Sequence, residues 1–502
     1  MDKVAIIELN TTEVKLIFAD VIKNKSFLIY DHVSVPVNLM KDFNDENIIK
    51  STIIKEVVCV LSVFKKMIDE QGILETICVA TSKINEAKNQ NGFLNEIFSI
   101  TNLKFNILTP EQEINYVYTA VINSFNKPKA LIVNVTNYNT EILLYNRRNI
   151  LNTYILPFGS VNLTEKFEGK STKDLMNEAK NFVYNELKDQ NWIFDLDEEY
   201  EIIGAGDVFL SLGEVSRRAK KYPLQIEHNY SLLKEDVEKV YAVVSGLDIT
   251  KNSKIKGVSA ENTKNLPAGL AIISAITSNC NKDCLAISKT GLTHGILLNH
   301  VLPLTLEKPI SDNLGYSLQI LNEFYDKKPN NAEHVYNLSM ILFKQLKVLH
   351  KLNRSYVRVL RVASYMYASG LRVTNDNPEK ISFNIILNSQ IYGVSHQELV
   401  LAAFTSLMRD VDNFNLSDWV KYKDLVTDAD LDAVKKLAVI LQIASSLDCT
   451  KFGNVVDISC DILGDSVIMK TITKGEVPLE IKQAKYSTTD FKRAYNKNLE
   501  IL

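Results

Sequence analysis

Apolar residues gather in three short runs at the start of the chain. VAIIEL ends at Asn10-Thr11-Thr12, TEVKLIFAD follows, and KSFLIYDHVSV comes next. Turn formers separate the runs, which predicts three antiparallel strands joined by tight connections. The period then changes from two to 3.6. Ile49, Ile53, Val57, Val60, Leu61, Phe64 and Ile68 fall on one face of a helix over about 46–70. A strand (ETICVAT), a helix over about 83–99, a strand (KFNILT) and a helix over about 110–124 complete the stretch.

The pattern restarts near residue 130. ALIVNVT, NTEILLYN and ILNTYILPF read as strands, a helix covers about 171–187, and EEYEIIGAG reads as a strand entering a glycine turn before another helix. IIELNTTEVKLIF and LIVNVTNYNTEILLY share an order of strand, turn, Thr-Glu and strand, with Glu8 near the end of the first strand in one copy and Asn134 in the other. A repeat on this scale predicts a duplicated α/β domain with a cleft between its lobes. The two hairpin turns are candidates for cradling an anion on backbone N–H groups, and equally for being plain connections.

Beyond about residue 305 the chain becomes helical, with AEHVYNLSMILFKQLKVLHKLN, SYVRVLRVASYMYASG and LDAVKKLAVILQIASSLD as 3.6-period segments. Stretches rich in Pro, Asn, Asp and Lys near 305–330 and 371–382 read as linkers. The tail returns to strands in NVVDISCDIL, DSVIMKTITK and EVPLEIKQA. The division expected is 1–124, 125–305, 306–425 and 426–502, and 502 residues suit about that many domains.

Composition narrows the function classes. Hydrophobic residues at 46% and charged residues at 23% are ordinary for globular proteins. A formal charge of −3 excludes a bulk polycation, and with it the usual basis for nucleic-acid binding. Arg217, Arg218, Lys220 and Lys221 form one local basic cluster, read as a solvated helix face. The six cysteines are scattered; Cys59 and Cys78 sit in apolar runs, which predicts buried thiols in a reducing compartment. Cys280-x3-Cys284 has no second pair at zinc-site spacing. No signal-type segment and no run of 18 apolar residues appears, so the expectation is a cytoplasmic protein with no membrane partner.

An ordered series of motifs then resembles the exopolyphosphatase/guanosine pentaphosphate phosphatase family. VAIIELNTTEVKL resembles its first phosphate loop, VATSKINEAKN its Ala-Thr-Ser-Ala-x-Arg-Glu-Ala motif, and ILTPEQEINYVYTAV the segment that carries its catalytic glutamate. LIVNVTNYNTEILLY resembles its second loop, Asp-x-Gly-Gly-Gly-Ser-Thr-Glu. LPFGSVNLTEKF, KNLPAGLAII and ISKTGLTHGILL are similar to later landmarks. The resemblance implies a duplicated α/β fold of the actin/Hsp70-like (ribonuclease H-like) type, an all-α HD-like domain from His334 onward and a small α+β C-terminal domain. It further implies removal of terminal phosphate from polyphosphate or guanosine pentaphosphate with magnesium, and a homodimer.

Residue by residue, the resemblance places Glu113 on the catalytic glutamate and Glu141 and Glu8 on metal-holding carboxylates. Thr109 as N-cap, Pro110 at the first position and Gln112 at the third predict that Glu113 lies in a helix's first turn. The phosphate-binding positions are altered. Asn10 stands for a glycine, Thr11, Thr12 and Glu13 for Ser-Asn-Ser, and Lys15 and Asn85 for arginines. Asn134 replaces an aspartate, and Thr136, Asn137 and Tyr138 replace three glycines. Gly204-Ala205-Gly206-Asp207 keeps two glycines and adds a charge. Of the HD-like residues His334 remains, while Tyr367-Ala368 and Ile381 replace the others. The expectation is an impaired phosphatase that keeps its carboxylates, loses much of its grip on phosphate, and holds a phosphorylated ligand in its cleft. The alternatives are an active magnesium-dependent hydrolase of polyphosphate or a guanosine nucleotide, and a dimeric scaffold.

Overall fold

The first strand of the first sheet ends where the sequence places a turn former, at Asn10. The computed structural model describes residues 2–22, 26–40, 47–248, 254–302, 310–325, 329–409 and 414–502. In it β1 (Asp2–Leu9), β2 (Glu13–Ile22), β3 (Ser26–Pro36), β4 (Glu75–Ala80) and β5 (Asn106–Ile107) form a sheet of order β3-β2-β1-β4-β5. β1 runs antiparallel to β2 and parallel to β4. Val4 to Leu9 are buried without alternation, as expected of a central strand covered on both faces.

A second sheet contains β6 (Lys129–Val135), β7 (Thr140–Asn146), β8 (Asn149–Leu156), β9 (Glu201–Ala205), β10 (Tyr230–Leu233) and β11 (Cys284–Ile287), in the order β10-β11-β9-β6-β7-β8. Read from its far end, β8-β7-β6-β9-β11 repeats the first sheet's order, and β10 adds an antiparallel edge. The duplication read from the sequence is therefore present strand for strand. Its detail needs one correction. Glu8 pairs with Lys15 in the first hairpin and Asn134 with Glu141 in the second, seven residues on in each case. Glu141 thus corresponds to Lys15, and Glu13 to Asn139. The Thr-Glu pairs that look alike in sequence are two residues out of register, because backbone pairing and not side-chain identity aligns the hairpins.

Two further expectations change. The helix over 83–99 is instead a 3-10 turn, Ser82–Glu86, followed by the helix Gln90–Thr101. Asn89 sits at the break and binds Ile49 through both ends of its carboxamide, accepting from its N–H at 3.0 Å and donating to its carbonyl at 2.8 Å. The helix expected over 46–70 spans Ser51–Glu70, and residue 46 lies outside the described residues. Cys59 faces outward from that helix, opposite the buried stripe of Ile53, Val57, Leu61 and Phe64, so only part of the expectation of buried thiols holds. All six thiols are free.

The chain divides into two units, Met1–Lys221 with Glu227–Ser311, and Tyr222–Ile226 with Asp312–Leu502. Both sheets above lie in the first. The second unit is built on helices, among them Pro329–Gln345, Tyr356–Met366, His396–Leu407 and Asp428–Ser446. It closes with β12 (Val455–Leu463), β13 (Ser466–Thr473) and β14 (Asn498–Ile501). One continuous core, with Phe404, Leu437, Met469 and Phe491 fully buried, joins these helices to the sheet. EVPLEIKQA, expected as a strand, is the helix Pro478–Lys485. Proline fits a helix's first position, Glu480 lies in the first turn and Lys482 and Lys485 in the last. No helix among the described residues is long and apolar enough to cross a membrane.

Candidate active site

The helix Pro110–Ile122 starts as its sequence predicts. Gln112 N–H donates to Thr109 Oγ1 at 3.2 Å, and Thr109 N–H donates to Gln112 Oε1 at 2.9 Å. This capping box fixes the first turn and buries Glu113 in it. Glu113 Oε1 accepts the Ser82 N–H at 2.6 Å. Burial raises the Glu113 carboxyl to about 7; the Ser82 hydrogen bonds oppose the shift and the charge of Glu8 adds to it.

Glu141 lies on β7 with no exposed surface. Asn134 Nδ2 donates to its Oε2 at 2.9 Å, and among the described residues its Oε1 has no hydrogen-bond partner. Burial and then the charge of Glu113 push the Glu141 carboxyl up to about 8, against the Asn134 hydrogen bond. Glu8, near the end of β1, accepts the Thr293 hydroxyl on Oε2 at 2.6 Å. Thr293 belongs to the helix Leu292–Val301, which lies close against Pro110–Ile122. A Cβ on its Gly295 would stand 1.9 Å from the Tyr116 carbonyl oxygen, so only glycine allows the approach. Three carboxylates from separate strands and a helix are thus electrostatically linked, and near neutral pH Glu113 and Glu141 hold protons that free carboxylates would have lost.

The hairpins beside these carboxylates satisfy their own polar groups. In the first, Asn10 N–H donates to the Glu13 carbonyl at 3.0 Å. Asn10 Oδ1 accepts from Thr12 N–H at 3.2 Å, Thr11 Oγ1 at 3.3 Å and Thr12 Oγ1 at 3.4 Å. The Asn10 side chain therefore occupies the turn's own N–H and hydroxyl donors. In the second hairpin Thr136 N–H donates to the Asn139 carbonyl, and Asn139 N–H donates to Thr136 Oγ1, both at 3.0 Å. Thr136, Asn137 and Tyr138 all have negative φ, so the left-handed conformation that helps build a backbone nest is missing. Asn137 Nδ2 reaches the first hairpin and donates to Thr12 Oγ1 at 2.8 Å. Tyr138 is buried with the core residues of the first lobe.

Charges that sequence reading set against phosphate are mostly neutralised. Lys15 Nζ pairs with Glu13 Oε1 at 2.5 Å. Burial would depress the Lys15 ammonium, but the charges of Glu8, Asp207 and Glu13 together hold it above the usual lysine range. Asn85 is exposed in the 3-10 turn. Gly204 and Gly206 leave no room for a side chain: a Cβ on Gly204 would enter the Phe209 ring, and one on Gly206, whose φ is +92°, would stand 2.5 Å from the Val135 carbonyl oxygen. The basic cluster lies at a helix end, where Arg217, Arg218 and Lys220 have carboxylate partners and Arg217 is buried rather than solvated. Arg217 is buried against Glu214 at 2.6 Å, Arg218 also pairs with Glu214, and Lys220 pairs with Asp236 at 2.5 Å.

In the second unit, Tyr367 ends the helix Tyr356–Met366 under the Arg409 guanidinium, 5.3 Å from ring centre, and Ala368 leads into a 3-10 turn. His334 faces Asp448, with Nε2 3.7 Å from Oδ1. Among the described residues no three His, Cys, Asp or Glu side chains form a group able to hold a metal ion. Sequence reading missed Ser82, Thr293 and Asp448. The first two lie inside motifs already singled out, but their roles depend on a backbone N–H and a cross-helix hydroxyl that no residue pattern displays.

A sequence profile of the Ppx/GppA phosphatase family matches residues 21–304. A bifunctional 3-dehydroquinate synthase/phosphatase of Fusobacterium nucleatum is 25% identical over 316 residues, 59% of this chain and 46% of that protein. A guanosine-5'-triphosphate,3'-diphosphate pyrophosphatase of Aeromonas salmonicida is 23% identical over 343 residues, 66% of each. The chain thus spans about half to two thirds of the length of these curated relatives. The crystal structure of the Aquifex aeolicus Ppx/GppA family member is 26% identical, covers 61% of this chain and 99% of its own, and superposes with a TM-score of 0.54. The duplicated sheets are the actin-like fold of that protein family, and this chain belongs to the Ppx/GppA phosphatase family.

Proposed function

We propose that this chain is a catalytically impaired member of its family, which retains the carboxylates for activating water and holds a phosphorylated ligand weakly in the cleft between its two lobes. The observation that carries the reading is the first hairpin, whose Thr12 N–H and hydroxyls are taken by Asn10. Phosphoryl transfer depends on positioning and on neutralising the charge of the transferred group. Loss of one preorganised donor typically costs about 2.7–4 kcal/mol of barrier, or roughly 100–1,000-fold. Here the first loop, the second loop and the arginine positions at Lys15 and Asn85 are all altered.

The chemistry that survives is base catalysis. Water attacks the terminal phosphorus, its proton passes to Glu113, and the bond from phosphorus to the bridging oxygen breaks. Glu113 accepts a proton only when ionised, so any residual rate rises as pH passes through about 7. Magnesium takes one or two carboxylates from protein and the rest of its shell from substrate phosphates and water. Glu8, or the free oxygen of Glu141 once that carboxyl has lost its proton, would offer such an ion a ligand, and the ion would neutralise phosphate charge.

The raised Glu113 carboxyl also favours a second reading, an active hydrolase, because a base near neutral pKa suits catalysis at cellular pH. Phosphate release from tripolyphosphate and guanosine pentaphosphate, with magnesium and across pH 6–9, separates the two. Impairment predicts a small rate that rises with pH and disappears in Glu113→Gln. Release as fast as that of the Aquifex aeolicus family member under the same conditions would establish the second reading instead.

A further inference from the structure

We propose that the second hairpin is a latch between the two lobes, built from Asn137 and Tyr138, which must release before the first hairpin takes a phosphate group. The inference rests on the reading of the cleft as a weakened anion site and adds how it is kept weak. Asn137 Nδ2 donates to Thr12 Oγ1 at 2.8 Å, tying the tip of one hairpin to the tip of the other. Next to it Tyr138 is buried with the core of the first lobe, although β6 and β7, which carry it, belong to the second. The Lys83 ammonium lies over the Tyr138 ring, 5.1 Å from its centre. Thr12 is therefore held from two sides, by Asn10 within its own hairpin and by Asn137 from the other.

Both latch residues sit in one four-residue turn, which the Ser160 and Val161 N–H groups tie to their own lobe through the Thr136 and Asn137 carbonyls at 3.0 and 2.8 Å, so a movement of that lobe with its turn withdraws the Asn137 donor and the tyrosine ring together. The movement leaves the Thr12 hydroxyl held by Asn10 alone and uncovers the Lys83 ammonium, which keeps its pairing with Glu86 at 2.6 Å, a hydroxyl and a cation that a phosphorylated anion such as a short polyphosphate would compete for. A ligand that needs the open form binds with an apparent affinity reduced by the fraction of molecules that are open, so a latch closed in about 99 of 100 molecules lowers affinity roughly 100-fold.

The test uses the full chain and tripolyphosphate as probe, with affinity read by titration calorimetry. Tyr138→Gly with Asn137→Ala is expected to bind about tenfold tighter than wild type or better. Asn137→Ala alone, which removes one hydrogen bond and leaves the packing, is expected to gain about threefold. The single variant decides the matter if the double variant does not fold. Hydrogen exchange should also show faster exchange at residues 135–140 in Asn137→Ala. Folded variants that bind tripolyphosphate no tighter than wild type overturn the latch. That result leaves the impaired-phosphatase reading standing, whereas rapid phosphate release by wild type overturns that reading whatever the variants do.

Discussion

The two hairpins are copies of one element with opposite chemistry. Each closes through an N–H to carbonyl bond across a four-residue turn, Asn10 to Glu13 and Thr136 to Asn139. At the paired position that follows, the first carries Lys15 opposite Glu8, and the second Glu141 opposite Asn134. A cation beside carboxylates is stabilised by their charges, whereas a carboxylate buried near another carboxylate is not; this is why the Lys15 ammonium holds its proton tightly while burial and the charge of Glu113 keep the Glu141 carboxyl from losing its own, against the Asn134 hydrogen bond. The first hairpin turns its side chains inward on itself; the second reaches out through Asn137 and Tyr138. The same fold thus supplies one charge-balanced strand pair and one proton-holding strand pair, and the two turns satisfy their polar groups by different routes.

The largest expected effect breaks the equivalence at the backbone. Gly206→Val places a side chain at positive φ and 2.5 Å from the Val135 carbonyl oxygen, beneath the second hairpin. It should destabilise the protein by about 3 kcal/mol or more, which thermal melting would show as a fall of about 6–12 °C at roughly 2–4 °C per kcal/mol.

Glu141→Gln tests the proton-holding pair. The folded carboxyl, raised to about 8, holds a proton where the unfolded one, near 4.5, has lost it. Folding therefore binds protons between those values, and stability falls as pH rises through them. Glutamine abolishes that fall: the variant should match wild type at pH 4.5 and melt several degrees higher at pH 9, from a gain of about 2 kcal/mol. Equal melting temperatures at pH 9 would contradict the raised carboxyl. Lys15→Met should do the reverse at neutral pH. It leaves Glu8, Glu13 and Asp207 without their common cation and, since Lys15 is partly exposed, should cost about 1–2 kcal/mol in chemical denaturation.

The smallest effect is at the turn itself. Thr136→Val removes the hydroxyl that accepts the Asn139 N–H and should cost about 1 kcal/mol, read from the denaturation midpoint. Asn10→Ala should cost a similar amount but frees the Thr12 N–H, so it alone of the two should tighten tripolyphosphate binding.

The duplicated architecture was legible because strand order follows from the order of apolar runs and turns, which recur twice along the chain. Glu113 was legible for a local reason: Thr109, Pro110 and Gln112 together specify a helix start. What sequence could not display is register. The Thr-Glu pairs suggested an alignment two residues away from the backbone pairing, and nothing in the letters marks Lys15 as the counterpart of Glu141. Tyr138 was read as standing where the resemblance expects a glycine. Its burial in the other lobe is a tertiary contact, invisible to periodicity. Strands β10 and β11, four residues each, are too short to show a period at all.

If the grip on phosphate is weak while the base is retained, glycines restored to the second hairpin should raise turnover. The most direct measurement is the rate of phosphate release from tripolyphosphate at pH 8 with magnesium, for a chain carrying Thr136→Gly, Asn137→Gly and Tyr138→Gly, beside wild type and the same triple variant with Glu113→Gln. The account predicts that the triple variant releases phosphate about tenfold faster than wild type or better, and that Glu113→Gln removes the gain. A folded triple variant no faster than wild type, or a gain that survives Glu113→Gln, would contradict it.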